Sequence, residues 1–256
     1  MTSNHIHAKG LEHGPVMGGE AEFEFSFAFQ PIVNASTREV ISFEALVRGP
    51  CGEPSKEVFA KVDHEKLYQF DEACRTKAIA LASQLKLQLG LNLNMFPSAL
   101  YRAGMDIRAT LQASLEFGLP AEQIVIEVTE AEKMMTYPQV METLKAHREF
   151  GFRTAIDDFG CGYSGLSLLV EYQPNYIKLD RSLIADIQHD KVKQAIFHGV
   201  RLTCKELGVE IMAEGVETGG EYRWLHEAGI DLFQGYYFAR PTFEALAEVP
   251  QNLYRI

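Results

Sequence analysis

The sequence predicts an α/β fold, a TIM-like (β/α)8 barrel with an antiparallel first strand. Three observations predict it. Eight short β-rich runs recur from residue 23 to residue 238. Most of them are separated by stretches of helical periodicity. The chain has 256 residues, and such a barrel uses about 250 as a single domain. An open doubly wound sheet is the runner-up, weakened because no G-x-G-x-x-G follows an early strand.

The first two runs are "FEFSFAFQPIV" (23–33) and "EVISFEALV" (39–47). Only "NASTR" lies between them, too short for a parallel crossover, so they are expected to form an antiparallel hairpin. The remaining runs are "LGLNLN", "IVIEVTE", "RTAIDDF", "YIKLD", "EIMAEGV" and "LFQGYYF". They read as buried strands of a mainly parallel sheet, because helical patterns alternate with them. Those patterns cover 58–85, 138–150, 181–207 and 220–228.

Composition narrows the function. Apolar residues make up 46% of the chain, enough for a real core. The net charge of −11 argues against a broad surface for polymeric nucleic acid. Positive partners for an anionic ligand must then be local: a few Arg and Lys, or metal ions. Cys51, Cys74, Cys161 and Cys204 show no CxxC pair and no zinc-like spacing, which suits a reducing cytosol. No apolar run is long enough to span a membrane, and the N-terminus lacks a signal-peptide pattern. A cytoplasmic protein is the expectation. Residues 1–21 are rich in Gly and His without periodicity and are expected to be a flexible segment or linker, with 22–256 forming the domain.

Polar residues gather at the strand ends. Glu44 lies near the end of the second run and Asn94 ends the third. Glu127 and Glu130 close the fourth, and Asp157 and Asp158 the fifth. Lys178 and Asp180 close the sixth, Glu214 and Glu217 the seventh, and Gln234 lies within the eighth. In a barrel the carboxyl ends of the strands share one rim, where active sites sit. A lone Asp after a strand is more often a turn former or a helix cap. That reading does not explain acids delivered strand after strand to one rim, since buried acids need partners. Oxygen ligands fit Mg²⁺ or Mn²⁺, and the absence of His from the set argues against zinc. Two adjacent carboxylates repel each other unless cations lie beside them. Two metals about 3.5–4 Å apart form the usual clamp for in-line attack on a phosphodiester.

The order of these motifs resembles the EAL domains, bacterial phosphodiesterases of cyclic di-GMP. The chain carries "EALVR" from Glu44 to Arg48, then "LNLNMFP", "EVTE", "DDFGCGYSGL", "YIKLDRSL", "AEGVET" and "FQGYYFARP". The resemblance implies that Glu44, Asn94, Glu127, Asp157, Asp158 and Glu214 hold two ions, Mg²⁺ or Mn²⁺. It implies that Lys178 contacts the attacking water, and that Glu44, Lys178 and Glu214 are the catalytic set. Arg48, Leu46, Gln30, Asp180 and Gln234 are implied on the substrate side. Glu130 is implied to brace the "DDFG" loop, although a Glu there also suits a helix start. Asn92 competes with Asn94; Asn94 is preferred as the strand-terminal one, three before Pro97. Cys161 and Gly165 stand where Thr and Ser are commoner in the family, which leaves every implied ligand in place.

The activity implied is hydrolysis of cyclic di-GMP to linear 5′-pGpG by a homodimer that pairs through the helix after the "DDFG" loop. Ca²⁺, with longer bonds and a looser shell, is expected to bind without turnover. Two other readings stay open: a non-catalytic cyclic di-GMP receptor or interaction module, and another barrel enzyme acting on phosphorylated small molecules.

Overall fold

Alternation along the strands sets the architecture. Phe43-Glu44-Ala45, Ile126-Glu127-Val128 and Ile177-Lys178-Leu179 each place one charged residue between apolar neighbours. Successive strand residues face opposite ways, so one face of each strand packs on helices and the other faces a shared interior. The computed structural model describes residues 23–96, 107–129, 138–162 and 165–254.

The chain opens with β1 (Ser26–Asn34), β2 (Glu39–Arg48), α1 (Ser55–Phe59), α2 (Leu67–Gln84) and β3 (Gly90–Met95). It continues with α3 (Ile107–Phe117), β4 (Ile124–Thr129), α4 (Pro138–Glu149), β5 (Arg153–Phe159), α5 (Gly165–Glu171) and β6 (Tyr176–Leu179). Then come α6 (Arg181–Ile184), α7 (Lys191–Leu207), β7 (Glu210–Ala213), α8 (Gly219–Glu227), β8 (Leu232–Phe233) and β9 (Thr242–Phe243). Strands β2 to β8 are parallel neighbours in chain order. β1 pairs antiparallel with both β8 and β2 and so closes the barrel, while β9 adds to one edge of β1. This is the predicted barrel with its antiparallel first strand. No helix among the described residues is long and apolar enough to cross a membrane.

Two helical expectations are corrected. The pattern at 58–85 breaks into α1, a 3-10 turn at His64–Lys66 and α2. The pattern at 181–207 breaks because Asp186 takes a left-handed conformation, and Asp190 then caps α7 by accepting the N–H groups of Val192 and Lys193. The eighth run pairs only at Leu232–Phe233. Helices α3 and α5 add to those named from periodicity.

Most of the core lies between strands and helices and includes Phe29, Leu93, Ile126, Ile177 and Phe233. A second cluster, Ile32, Met212 and Leu232 with Ile41 and Tyr176, is separate from it. Ile32, Met212, Leu232 and Tyr176 each lie two residues from Gln30, Glu214, Gln234 and Lys178 respectively. Period two therefore places this apolar layer beneath the polar one. Burial of these apolar groups fixes the strand register, and the register fixes the site: Gln30 opposes Glu44, Glu44 adjoins Asn92, Asn94 adjoins Glu127, and Thr129 adjoins Asp157.

Gly235 shows how tightly the rim is assembled. A Cβ there would lie 2.0 Å from the Val216 carbonyl oxygen, a backbone atom. The turns after β7 and β8 meet at this point, where Val216 N donates to Gln234 O at 3.0 Å. Gly235→Ala is expected to force the turns apart and cost about 1–3 kcal/mol, the usual range for overpacking. A urea midpoint indistinguishable from wild type would show that the rim yields more readily than this contact implies.

Candidate active site

The interior polar layer is organised around one ammonium group. Lys178 points from β6 across the barrel and is fully buried. Its Nζ lies 3.0 Å from Glu44 Oε2, 2.9 Å from Glu127 Oε2, 3.1 Å from Asp157 Oδ1 and 3.1 Å from Glu214 Oε2. The contact to Glu214 is an ion pair without an aligned hydrogen bond. Removing one member of such a buried set leaves uncompensated charge, at a cost of about 3–5 kcal/mol.

Amides orient the glutamates. Asn94 Nδ2 donates to Glu44 Oε1 at 2.8 Å, and Gln234 Nε2 donates to Glu44 Oε2 at 2.8 Å. Gln234 Nε2 also reaches Gln30 Oε1 at 3.2 Å, and Gln30 in turn donates to the Ala239 carbonyl. Asn92 Nδ2 donates to Glu127 Oε1 at 2.6 Å. Asn92 and Gln234 are each only 1% exposed, so their bracing bonds are shielded from water.

Asp157 and Asp158 face the same space because the strand is irregular there. On a regular strand adjacent side chains point apart. The β5–β6 register shifts between Ile156 and Phe159, and Asp158 adopts φ +53°. Asp tolerates this left-handed region better than most residues. The Asp158 N–H donates to Asp157 Oδ1 at 3.0 Å, and Thr129 Oγ1 donates to Asp158 Oδ2 at 3.1 Å.

Charge in this layer is unbalanced. Burial alone would lower the Lys178 pKa, but the carboxylates, Asp157 foremost, hold it well above the ordinary value. Burial pushes Glu127 up to about 8, with Glu44 and Asp157 adding to the rise against the pull of Lys178 and Asn92. Burial also raises Glu214 well above the usual range, helped by Asp157 and Glu44. Burial and then Asp157 raise Asp158. Burial opposes ionisation of Asp157 as well, yet Lys178 and hydrogen bonds bring it below its ordinary value.

The residues fit divalent cations. Glu44, Glu127 and Asp157 offer carboxylate oxygens within 4.8 Å of one another, and so do Asp157, Asp158 and Glu214. The two groups share Asp157. Four carboxylates meet the Lys178 ammonium, Asp158 adds a fifth to the cluster, and the buried Asn92 Oδ1 has no hydrogen-bond partner among the described residues. Of the polar residues of this layer only Asn94 reaches a cavity of about 230 Å³, which is mostly apolar, with Phe27, Ala45, Phe59, Ala78 and Leu93 in its lining beside Leu46 and Arg48.

The structure thus brings together Glu44, Asn94, Glu127, Asp157, Asp158, Lys178 and Glu214. Leu46 and Arg48 border the adjoining cavity. Gln30 and Gln234 lie behind Glu44, with their amides engaged there. Asp180 caps α6 by accepting the Ser182 N–H at 2.9 Å, and its charge helps raise the Asp158 pKa. Glu217 stands apart and pairs with Arg181 at 2.9 Å. Glu130 lies outside the described residues. Sequence reasoning set Asn92 against Asn94 as a rival, whereas the structure engages both, and it did not single out Thr129. The signal for Asn92 was present, since it has the same strand parity as Asn94.

The EAL domain family model matches residues 20–241. The chain belongs to the EAL domain family. The standalone versatile EAL protein from Vibrio cholerae, solved in its c-di-GMP-bound form, is 42% identical with a TM-score of 0.85, over 92% of this chain and 99% of that one. Klebsiella pneumoniae BlrP1 in a calcium/cy-diGMP complex is 42% identical with a TM-score of 0.85, over 92% and 60% of the two chains. A manganese/cy-diGMP complex of the same protein is 43% identical with a TM-score of 0.83, over 89% and 58%.

Among curated proteins, the blue light- and temperature-regulated antirepressor BluF of Escherichia coli is 32% identical over 226 residues, 87% of this chain and 56% of BluF. The cyclic di-GMP phosphodiesterase NbdA of Pseudomonas aeruginosa is 33% identical over 241 residues, 89% of this chain and 30% of NbdA. The chain therefore spans only about a third to a half of these two curated relatives.

The raised carboxyls predict how stability follows pH without metal. Between the ordinary carboxylate pKa and the folded value near 8, the native Glu127 holds a proton that the unfolded chain has released. Glu214 acts in the same direction. Stability must then fall as pH rises through this window. The urea midpoint in chelator is expected to drop from about pH 5 to about pH 8 and to level off above, and Mn²⁺ is expected to shrink the drop by replacing the proton. A flat profile in chelator would mean that these carboxyls are not raised.

Proposed function

We propose that the chain is a cyclic di-GMP phosphodiesterase that opens one phosphodiester with water to give linear 5′-pGpG. The observation that carries this reading is the pair of carboxylate groups sharing Asp157, gathered around the Lys178 ammonium. Its relatives support the substrate, since NbdA bears that activity in its name and the structural neighbours hold cyclic di-GMP.

In this reading Glu44, Asn94, Glu127, Asp157, Asp158 and Glu214 hold two cations, Mg²⁺ or Mn²⁺. Bound there, the cations acidify the attacking water and neutralise charge developing on the phosphate oxygens. Lys178 orients that water from beneath, its ammonium held between carboxylates. Arg48 offers a planar fork to the phosphate, and Leu46 packs beside it. Gln30 and Gln234 keep Glu44 aimed, and Asp180 sits next to Asp158. Water attacks phosphorus, the P–O3′ bond breaks, and the departing 3′ oxygen takes up a proton.

BluF, named as an antirepressor, keeps a second reading in view: a receptor that binds cyclic di-GMP without cleaving it. One assay separates the two. The chelated protein receives a single ion at a time, and pGpG is followed by chromatography. Turnover is expected with Mg²⁺ or Mn²⁺ and not with Ca²⁺. Glu44→Ala is expected to abolish turnover in a folded protein, and Arg48→Ala to raise KM more than it lowers kcat. Binding of cyclic di-GMP with no product in any ion would establish the receptor reading instead.

The proposal includes a homodimer. On α5, directly after the Asp157–Asp158 irregularity, Leu166 is 58% exposed and Val170 77% exposed. Two large apolar side chains on one short helix leave a surface that a second copy would cover. Val170→Asp is expected to shift the protein to monomer in light scattering. An unchanged mass would move the interface elsewhere.

A further inference from the structure

Glu214 is held differently from its neighbours. Glu44, Glu127 and Asp157 stand on strands, but Glu214 follows the last residue of β7 and lies in a turn. A strand ladder does not fix such a residue, so the turn itself must be held. Glu214 N donates to Leu179 O at 3.2 Å, and Val216 N donates to Gln234 O at 3.0 Å. Between them Gly215 has φ +68°. Its carbonyl accepts a hydrogen bond from Arg181 Nη1 at 2.5 Å.

The same guanidinium reaches further. Arg181 Nη2 lies 2.9 Å from Glu217 Oε2, and Nη1 lies 3.7 Å from Glu221 Oε1. Glu221 is buried on α8 and accepts the N–H groups of Asp186, Glu217 and Thr218. A Cβ on Gly215 would lie 3.2 Å from Arg181 Cβ, so the turn rests against the arginine stem. Arg181 and Glu221 therefore grip residues 215–218 from two sides. The Arg181–Glu217 pair is well exposed at both ends and contributes little by itself. The bond to the Gly215 carbonyl acts one peptide away from Glu214.

We propose that Arg181 is a positioning residue for the carboxylate group formed by Asp157, Asp158 and Glu214, and that it sets the affinity of one of the two cation positions. The inference rests on the two-cation reading given above. An arginine fork can serve a carbonyl and a carboxylate together, whereas a lysine presents one compact charge. The group of Glu44, Glu127 and Asp157 is braced by Asn92 and Asn94 of β3 and by Gln234 just after β8, while the hydrogen bond and ion pairs of the Arg181 side chain among the described residues go to Gly215, Glu217 and Glu221.

The test is Mn²⁺ binding, followed by electron paramagnetic resonance, to wild type, R181M, R181K and E217Q. Wild type is expected to take two ions. R181M is expected to keep one at wild-type affinity and to weaken the other at least about tenfold, as for loss of a group behind a metal ligand. R181K is expected to lie between the two, and E217Q to stay within about threefold at both positions because its pair is exposed. Hydrogen exchange of the amides of Glu214 and Val216 is expected to quicken in R181M. Wild-type affinities at both positions in R181M, or equal weakening of both, would overturn the inference. If R181M does not fold, unchanged affinities in R181K overturn it. Wild type binding two Mn²⁺ without cleaving cyclic di-GMP would defeat the phosphodiesterase reading alone. Wild type binding fewer than two would defeat this inference together with the two-cation reading.

Discussion

The Lys178 ammonium is the interaction on which the rest of the site depends. Four carboxylates from β2, β4, β5 and the turn after β7 converge on one Nζ. Without that charge they would repel each other inside a barrel that excludes water. With it they form a compact cluster whose outer face still carries an excess of negative charge. The lysine thus does two things at once. It lets the acids be buried, and it leaves them short of neutralisation on the side open to a cation. The amides complete the arrangement, because each of Asn94, Gln234 and Asn92 points its donor at a glutamate and so fixes the orientation of Glu44 and Glu127.

The site also divides by the kind of backbone that holds it. Glu44, Asn94 and Glu127 sit on regular strands whose register is set by burial of apolar neighbours. Asp158 and Glu214 sit where the backbone departs from a strand, at a left-handed residue in one case and beside a left-handed glycine in the other. One group of ligands is therefore inherited from the barrel, and the other is built by local turns with their own braces. Asp157 belongs to both groups.

Much of this was legible in the sequence. The eight runs and the short "NASTR" link were enough for a barrel with a reversed first strand, because a parallel crossover needs more chain than that link supplies. The ring of acids was legible because strand ends share a rim. What the sequence hid was backbone detail. The adjacent aspartates read as a pair, but on a regular strand they would point apart, and no pattern of residue types announces the β5 irregularity that brings Asp158 to the same side as Asp157. The breaks at 58–85 and 181–207 were hidden likewise, since periodicity continues across them. Gln30 and Gln234 were placed on the substrate side by resemblance. Their burial behind Glu44 depends on which face of a short strand they occupy, and β8 has only two paired residues from which to read it.

The reversed first strand has a mechanical consequence. In a fully parallel barrel the chain enters at the floor, far from the rim that carries the chemistry. Here Ser26, at the start of β1, lies opposite Arg48, at the rim end of β2. Four residues further on, Gln30 reaches Gln234 and stands opposite Glu44. Polypeptide that precedes β1 is thus attached on the ligand side, a few residues from the network that aims Glu44. A tug or a twist delivered through that attachment has a short lever onto the carboxylates, with no need to travel through the barrel wall.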